Sequence, residues 1–200
     1  RYDPADLQGL WLYEQGLGLG GRIAHTFLVF EFPEQYGAVR WLGLSVETRR
    51  ELGEEYSLLG GLLRKFEVTH LWATEEDLVT RRVEFLDYPL VRYRVDIPGE
   101  YLGPIFRQFA EETAELTDTP RWYNTLTTNC TNSLVAYVNA VEPGAIPWHP
   151  SFILTGTIDD YLAELGYLDL ESTQPVTQGW LAENPLRRPI ERFPPGNQMK

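Results

Sequence analysis

The sequence is poor in the side chains that form disulfides or supply sulfur and imidazole ligands to zinc, with one cysteine and three histidines in 200 residues. The lone cysteine, Cys130, cannot form a disulfide within the chain. The three histidines are scattered, and no cluster has the spacing of zinc ligands. We therefore predict that no metal is bound, and the cysteine count gives no test of the redox compartment.

Long apolar runs and an excess of positive charge are also missing. No run of about 18 residues is free of charge, so no transmembrane helix is predicted. The 29 acidic residues outnumber the 17 basic ones, giving a net charge of −12. Such a surface repels phosphates, so nucleic acid is not an expected partner. The chain starts at Arg1 with no signal-like stretch, so we expect any targeting or membrane-anchoring segment to lie outside this sequence.

Three glycines imitate a nucleotide-binding loop. Gly16, Gly18 and Gly21 have the spacing G-x-G-x-x-G, but a dinucleotide site needs that motif between a strand and a following helix. Here the glycines precede an apolar, strand-like run. We interpret them as a flexible loop, and we predict no cofactor.

Length and composition predict one domain with its own core. Two hundred residues, 43% of them hydrophobic, suffice to bury a core without disulfides or metals. We place the domain at residues 1–171. The proline-rich remainder, residues 172–200, is expected to be extended, as a strap or a linker.

Apolar runs and turn signals predict a β-rich first half. Residues 25–32 have the pattern of a strand, and residues 33–37 resemble a turn. A second run over residues 39–46 completes a predicted antiparallel hairpin. Alternation over residues 62–97 predicts further strands.

Helical spacing appears only after Pro98. Apolar residues recur with a period of 3.6 over residues 101–116, and again over 130–141. A last short helix is predicted over residues 158–168, with Gly166 as its C-cap. The whole pattern predicts an α+β fold.

Cys130 stands where a polar loop becomes an amphipathic helix. The first amides of a helix and its dipole favour a thiolate and can also bind an oxyanion. The same position fits a nucleophile for acyl transfer or a small buried apolar side chain, and the residue alone does not choose between them.

His25 is the best-placed partner for such a thiol, because it begins a predicted strand. His70 lies within a strand-like run and His149 lies between prolines, so both are less suitable. A His–Cys pair supplies the base and the nucleophile for acyl transfer. The predicted hairpin register places His25 opposite residues 45–47.

Ser45 and Glu47 are therefore the candidates to orient the imidazole. We favour Glu47, because a carboxylate stabilises an imidazolium better than a hydroxyl does. Side chains two apart on a strand share a face, so one would touch His25 and the other would lie about 7 Å further along. The alternative for Glu47 is a surface ion pair with Arg49 or Arg50.

Three segments together resemble a known family. They are His25-Thr-Phe-Leu-Val-Phe-Glu-Phe, then Leu44-Ser-Val-Glu-Thr-Arg49 with Gly53-Glu-Glu-Tyr56, and Tyr123-Asn-Thr-Leu-Thr-Thr-Asn-Cys-Thr131. They resemble the periplasmic domain at the N-terminus of the bacterial lipoprotein N-acyltransferase Lnb. The segment 158–169 also suits this family, so the resemblance spans roughly residues 20 to 170.

The resemblance implies both a fold and a site. The order of histidine and cysteine is similar to that of circularly permuted papain-like enzymes, which include NlpC/P60-related and lecithin:retinol acyltransferase-like proteins. In that design a helix with the catalytic cysteine at its N-terminus packs against an antiparallel sheet that carries the histidine. The implied nucleophile is Cys130 and the implied base is His25, with Ser45 and Glu47 matching a Ser-x-Glu element. Further substrate-binding or oxyanion roles are expected for Asn129, Tyr123, Asn124 and Arg49.

Three functions follow from this interpretation. The leading one is a periplasmic cysteine acyltransferase or hydrolase that forms a Cys130 thioester, with a phospholipid or lipoprotein as substrate. The second is an NlpC/P60-like amidase or peptidase acting on cell-wall peptides. The third is a non-catalytic binding module of the cell envelope. An apolar tunnel beside a close Cys–His pair would favour acyl chains over peptides.

Overall fold

The computed structural model describes residues 1–35, 40–49, 60, 61 and 63–187 of the chain. Its centre is a six-stranded antiparallel sheet with the strand order β4-β3-β2-β1-β5-β6. The strands are β1 (Gly9–Gly18), β2 (Ile23–Glu31), β3 (Trp41–Arg49), β4 (Glu67–Thr74), β5 (Leu90–Arg94) and β6 (Gln174–Val176).

Helices cover both faces of the sheet. The α-helices are α1 (Glu75–Val79), α2 (Gly99–Asp118), α3 (Cys130–Val141), α4 (Ile158–Glu164) and α5 (Trp180–Glu183). A π-helical segment, Thr80–Phe85, continues α1. Short 3-10 turns lie at Pro4–Asp6, Leu19–Gly21, Pro150–Phe152, Thr155–Thr157, Leu170–Ser172 and Pro185–Arg187. The α+β expectation is confirmed.

Strand β2 is apolar on both of its faces because both faces are covered. Leu28 and Phe30 pack with Phe106 and Phe109 of α2, in the cluster that also includes Cys130. Phe27 and Val29 face the opposite side, in a second cluster with α1 and α5. A strand that is buried on both faces has a continuous run of apolar residues rather than alternating apolar and polar residues.

Helix α3 has the bounds that the sequence predicts, Cys130–Val141. Asn129 is its N-cap, since its Oδ1 accepts a hydrogen bond from the amide of Asn132 at 2.8 Å. Helix α4 is shorter than the predicted 158–168. Gly166 follows it with φ of 81°, and the amide of Tyr167 bonds back to Leu162 O, which is the expected glycine cap.

The hairpin of β2 and β3 forms close to the predicted register. Phe27 pairs with Ser45, and continuing that pairing by two residues puts His25 beside Glu47. The predicted turn at 33–37 and the start of the second run at Val39 fall partly outside the described residues. The Gly53–Tyr56 part of the family resemblance also lies outside them.

Three expectations about the fold are wrong. Gly16 and Gly18 are not in a flexible loop but end β1, a central strand whose residues pair with β2 and β5. Residues 75–85 are helical, whereas only strands were expected between 62 and 97. The tail is not extended throughout: β6 is an extended strand paired with β5, but Trp180–Glu183 forms the helix α5 and buries Trp180.

Candidate active site

Cys130 is the first residue of α3, and its side chain is buried at 5% relative exposure. The first amides of a helix have no intrahelical acceptor, and the positive end of the helix dipole lies there. The backbone amide and the hydroxyl of Thr26, the residue after His25, also act to lower the pKa of the thiol. All of these contacts favour the thiolate.

The structure places the side chains of His25 and Cys130 together in the lining of one cleft, close enough for each to shift the pKa of the other. Burial alone raises the pKa of the Cys130 thiol, but the charge and hydrogen bond of His25 outweigh it and lower that pKa to about 7. Burial likewise opposes protonation of His25, yet the charges of Cys130 and Glu47 raise its pKa to about 10. Above about pH 7 the two side chains therefore form a thiolate–imidazolium pair.

Two side chains of β3 hold the far side of the imidazole. Nε2 of His25 lies 2.7 Å from Ser45 Oγ and 3.2 Å from Glu47 Oε1. The Ser45 hydroxyl in turn donates to Glu47 Oε1 at 2.7 Å. Because the hydroxyl proton of Ser45 bonds to the carboxylate, Ser45 Oγ can only accept the hydrogen bond from Nε2–H. Nδ1 is therefore the ring nitrogen that is left to interact with the thiol.

The expected spacing of Ser45 and Glu47 is therefore wrong. One of them was to touch His25 and the other was to lie about 7 Å further along the strand. Instead both reach Nε2, because Glu47 lies beside His25 in the register and Ser45 turns its short hydroxyl into the gap between them.

Arg82 completes this network from the π-helical segment. Its Nη2 donates to Glu47 Oε1 at 2.9 Å and to Ser45 Oγ at 3.2 Å. Its guanidinium is buried and stacks 4.4 Å above the ring of Phe27, the neighbour of His25 on the same sheet face. Burial alone would raise the pKa of Glu47, but the imidazolium of His25, the Ser45 hydroxyl and Arg82 lower it to about 2.

The pair lies in a cleft of about 470 Å³. The cleft lies where β1, β2 and β3 meet the start of α3. Its lining combines polar and apolar side chains, contributed by Gln15, Leu17, Ile23, Ala24, His25, Val46, Glu47, Thr48, Arg81, Arg82, Leu86, Tyr88, Tyr123, Thr125, Asn129, Cys130, Ile153 and Thr155.

Of the four further residues expected at the site, two line the cleft and two lie outside it. Tyr123 is buried and lines the cleft. Asn129 also lines it, but its amide is engaged by capping α3 and by donating to the carbonyls of Thr125 and Phe152. Asn124 lies outside the cleft and caps the turn before α3. Arg49 lies outside it too, in an exposed pair with Glu67.

The sequence interpretation missed Gln15 and Arg82. Gln15 is the partner of His25 across β1 and β2, and its buried side chain lines the cleft. Glu14 and Gln15 directly follow the apolar run over residues 10–13, and two polar side chains there are a signal that could have identified it. Arg82 was missed with its helix, which the sequence marks by Thr74 three residues before Asp77.

The other histidines belong to the packing of the chain. His70 bonds to Thr113 and Tyr137, and His149 stacks on Tyr161 with its ring 4.0 Å away. Among the residues that the structure describes, no group of three or more His, Cys, Asp or Glu side chains is arranged to hold a metal ion.

Comparison with known proteins bears on this site. A family model described as the Lnb N-terminal periplasmic domain matches residues 1–158, a span that contains β1 to β5, α1 to α3 and both members of the Cys–His pair. No match is found among curated proteins or solved structures. Over the described part of the chain, no helix is both long and apolar enough to span a bilayer.

Proposed function

The chain belongs to the Lnb N-terminal periplasmic domain family, and on that premise we propose that it is a cysteine-dependent acyltransferase or hydrolase of the cell envelope. Its substrates are acyl esters of phospholipids or lipoproteins. The observation that carries the proposal is the Cys130–His25 pair at the start of α3, with Ser45, Glu47 and Arg82 behind the imidazole.

The first half of the reaction forms a thioester. The Cys130 thiolate attacks the ester carbonyl carbon, and the carbonyl electrons move onto oxygen. The oxyanion is stabilised by the first amides of α3 and by Gln15, whose amide lines the cleft. When the carbonyl re-forms, the bond to the alcohol oxygen breaks and His25 gives that oxygen its proton. The alcohol leaves, and His25 is neutral.

The second half of the reaction releases the acyl group. Neutral His25 takes a proton from an amine or a water molecule, which attacks the thioester carbon. The carbon–sulfur bond breaks, the thiolate returns and His25 is again an imidazolium. An amine acceptor gives an amide and therefore acyl transfer, whereas water gives a free acid and therefore hydrolysis.

The fold supports the same proposal. A helix bearing a cysteine at its N-terminus packs against an antiparallel sheet whose second strand carries the histidine. This arrangement is the one expected of permuted papain-like enzymes, and we assign the domain to that group within the proposal.

The test is intact-mass analysis after incubation with phosphatidylethanolamine and phosphatidylglycerol vesicles. We expect either a mass increase of one acyl group on Cys130, removed by neutral hydroxylamine, or release of fatty acid and lysophospholipid. Cys130→Ala should abolish both, and His25→Gln should reduce both. Neither adduct nor release in the parent protein would contradict the proposal.

A second candidate is an amidase or peptidase that acts on cell-wall peptides. Polar groups in the cleft favour it, because Gln15, Glu47 and Arg81 could hydrogen-bond to a peptide. It shares the Cys–His chemistry and differs only in the bound carbonyl. Cleavage of cell-wall peptides that depends on Cys130, with no acyl adduct from phospholipid, would assign this function instead.

A further inference from the structure

A second cavity lies behind the reactive pair, on the other side of Thr26 and Thr131. It has a volume of about 210 Å³ and lies between the sheet and helices α2, α3 and α4. We call it the α3 cavity, because side chains from the whole length of that helix line it. Those α3 side chains are Thr131, Leu134, Val135, Val138 and Val141.

The lining is almost entirely hydrocarbon. β1 and β2 contribute Leu10, Leu12 and Leu28, and α2 and α4 contribute Ile105 and Leu162. Polar groups occur only near its two ends, at the threonine pair and around Glu142. Apolar cavities even of about 150 Å³ stay dry and accept apolar ligands. The ligand that suits this cavity is therefore a hydrocarbon group.

The shape of the cavity favours a chain rather than a ring. Its α3 lining runs from Thr131 to Val141, and ten residues of α-helix rise about 15 Å. One leaflet of a bilayer has a hydrocarbon thickness of about 15 Å, half of the ~30 Å core, which is the reach of one phospholipid acyl chain.

The inner end of the cavity meets the thiol. The hydroxyls of Thr26 and Thr131 lie 3.1 Å apart and both residues line the cavity. Thr131 Oγ1 lies 4.0 Å from the Cys130 sulfur, and Thr131 follows Cys130 directly in α3. A chain in the cavity would thus have its carbonyl end directed to the residue that forms the thioester.

We propose that the α3 cavity binds the hydrocarbon chain of the acyl group that Cys130 accepts, with the Thr26–Thr131 pair at the point where chain and carbonyl meet. This inference rests on the proposed function and names the part of the substrate that the site selects. It predicts preference by chain length, with each methylene that enters the cavity raising affinity about fourfold.

Binding of the hydrocarbon chain can be tested separately from the reaction in a Cys130→Ala protein, which has no thiol to form the thioester. The probe is cis-parinaric acid, a fluorescent fatty acid, and the competitors are octanoate, decanoate and laurate below their micellar concentrations. We expect probe fluorescence to rise on binding, with competition strengthening from octanoate to laurate. A folded Cys130→Ala protein that binds no probe, or binds all competitors alike, would overturn the cavity proposal.

Two substitutions that fill the cavity at different depths test where the hydrocarbon chain binds. In the same background, Val138→Trp blocks the middle and should weaken laurate binding at least tenfold, whereas Val141→Trp near the outer end should weaken laurate but not octanoate. Ala140→Trp is the control, since Ala140 is exposed on α3 and does not line the cavity. Thermal unfolding checks that each variant is folded.

The outcomes separate the two proposals. Equal laurate binding in the Ala140→Trp protein and in both folded cavity variants would contradict the cavity. If Val138→Trp does not fold, the contrast between octanoate and laurate in Val141→Trp decides by itself. Fatty-acid binding by Cys130→Ala, with no acyl adduct or release in the parent protein, would instead keep the cavity and remove the proposed function.

Discussion

The Ser45 hydroxyl accepts from Nε2 of His25 across 2.7 Å. It donates its own proton to Glu47, and Arg82 donates to both Ser45 and Glu47. The negative charge of this network is therefore on Glu47. The Ser45 hydroxyl connects Glu47 to the imidazole through two hydrogen bonds. Removing the charge should affect the thiol more than removing the hydroxyl.

We expect Glu47→Gln to slow alkylation of Cys130 by iodoacetamide at pH 7 roughly fivefold, because a thiol pKa that rises by about one unit from about 7 lowers the thiolate fraction at pH 7 from one half to about a tenth. Loss of the carboxylate destabilises the imidazolium, and a less charged His25 supports less thiolate. Ser45→Ala should have a smaller effect, because Glu47 Oε1 itself lies 3.2 Å from Nε2.

The matched control for this series is Glu67→Gln, which removes an exposed ion pair with Arg49 from the neighbouring strand. It should leave the alkylation rate unchanged. Slow alkylation in Ser45→Ala together with a parent-like rate in Glu47→Gln would transfer the main orienting role to the serine.

Reactivity of Cys130 should depend on pH with a midpoint near the thiol pKa of about 7. The sign follows from the lowered pKa: the thiolate is lost as pH falls through 7 and is complete above it. His25→Gln removes the charge that lowers the thiol pKa, so its midpoint should move to higher pH. Initial rates of iodoacetamide alkylation between pH 5 and 10 measure both curves, and coincident midpoints would contradict the pairing.

Much of the site could be predicted because its parts are local in sequence. Helix α3 begins at Cys130 for a local reason, the Asn129 cap. The position of His25 near residues 45–47 follows from one hairpin register. Each of these two features can be predicted from a short stretch of the sequence. The periodicity of α3 and the apolar run of β2 are strong patterns for the same reason.

What the sequence did not reveal depends on contacts that are distant in the chain. Arg82 meets Glu47 across 35 residues, and only the helical turn after β4 brings it there. β1 was missed because residues 10–13 are apolar without alternation and the strand ends in glycines, which by themselves favour a loop. The α3 cavity is assembled from β1, β2 and three helices, so no single segment carries its signal.

Gly156 should not tolerate a side chain. A Cβ there would lie 1.9 Å from the carbonyl oxygen of Gly21, a backbone atom. The same turn is tied to β2 beside His25, since Thr155 Oγ1 bonds to both the amide and the carbonyl of Ala24. Gly156→Ala must open this contact, and we expect it to cost about 1 to 3 kcal/mol of the free energy of unfolding.

Urea unfolding measures that loss, and Gly99→Ala is its control. Gly99 is the first residue of α2, and a Cβ added there would meet no described atom within 4 Å apart from those of its chain neighbours and its own helix backbone. Alanine in its place should be neutral or slightly stabilising. Gly156→Ala should also slow alkylation of Cys130, because β2 shifts with the turn. Equal stability of the two alanine variants would contradict the close packing of the Gly156 turn against β2.

Glu14 should make the protein less stable as pH rises. Burial, with the charges of Asp159 and Asp160 beside it, raises the pKa of this carboxyl to about 8, and its Oε2 is buried with no hydrogen-bond partner. Between about pH 4.5 and 8 the folded state holds a proton that the unfolded chain releases. The contribution of Glu14 to the unfolding free energy should therefore fall across this window, at most by about 1.4 kcal/mol per pH unit, and level off above pH 8.

Glu14→Gln is neutral at every pH and should remove this contribution, so its unfolding free energy should rise relative to that of the parent between pH 5 and pH 8. Glu34→Gln, at a carboxylate whose side chain is 88% exposed, should follow the parent over the same range. Urea unfolding at pH 5 and pH 8 measures the difference, and the same loss of stability in Glu14→Gln as in the parent would show that Glu14 is already ionised in the folded protein.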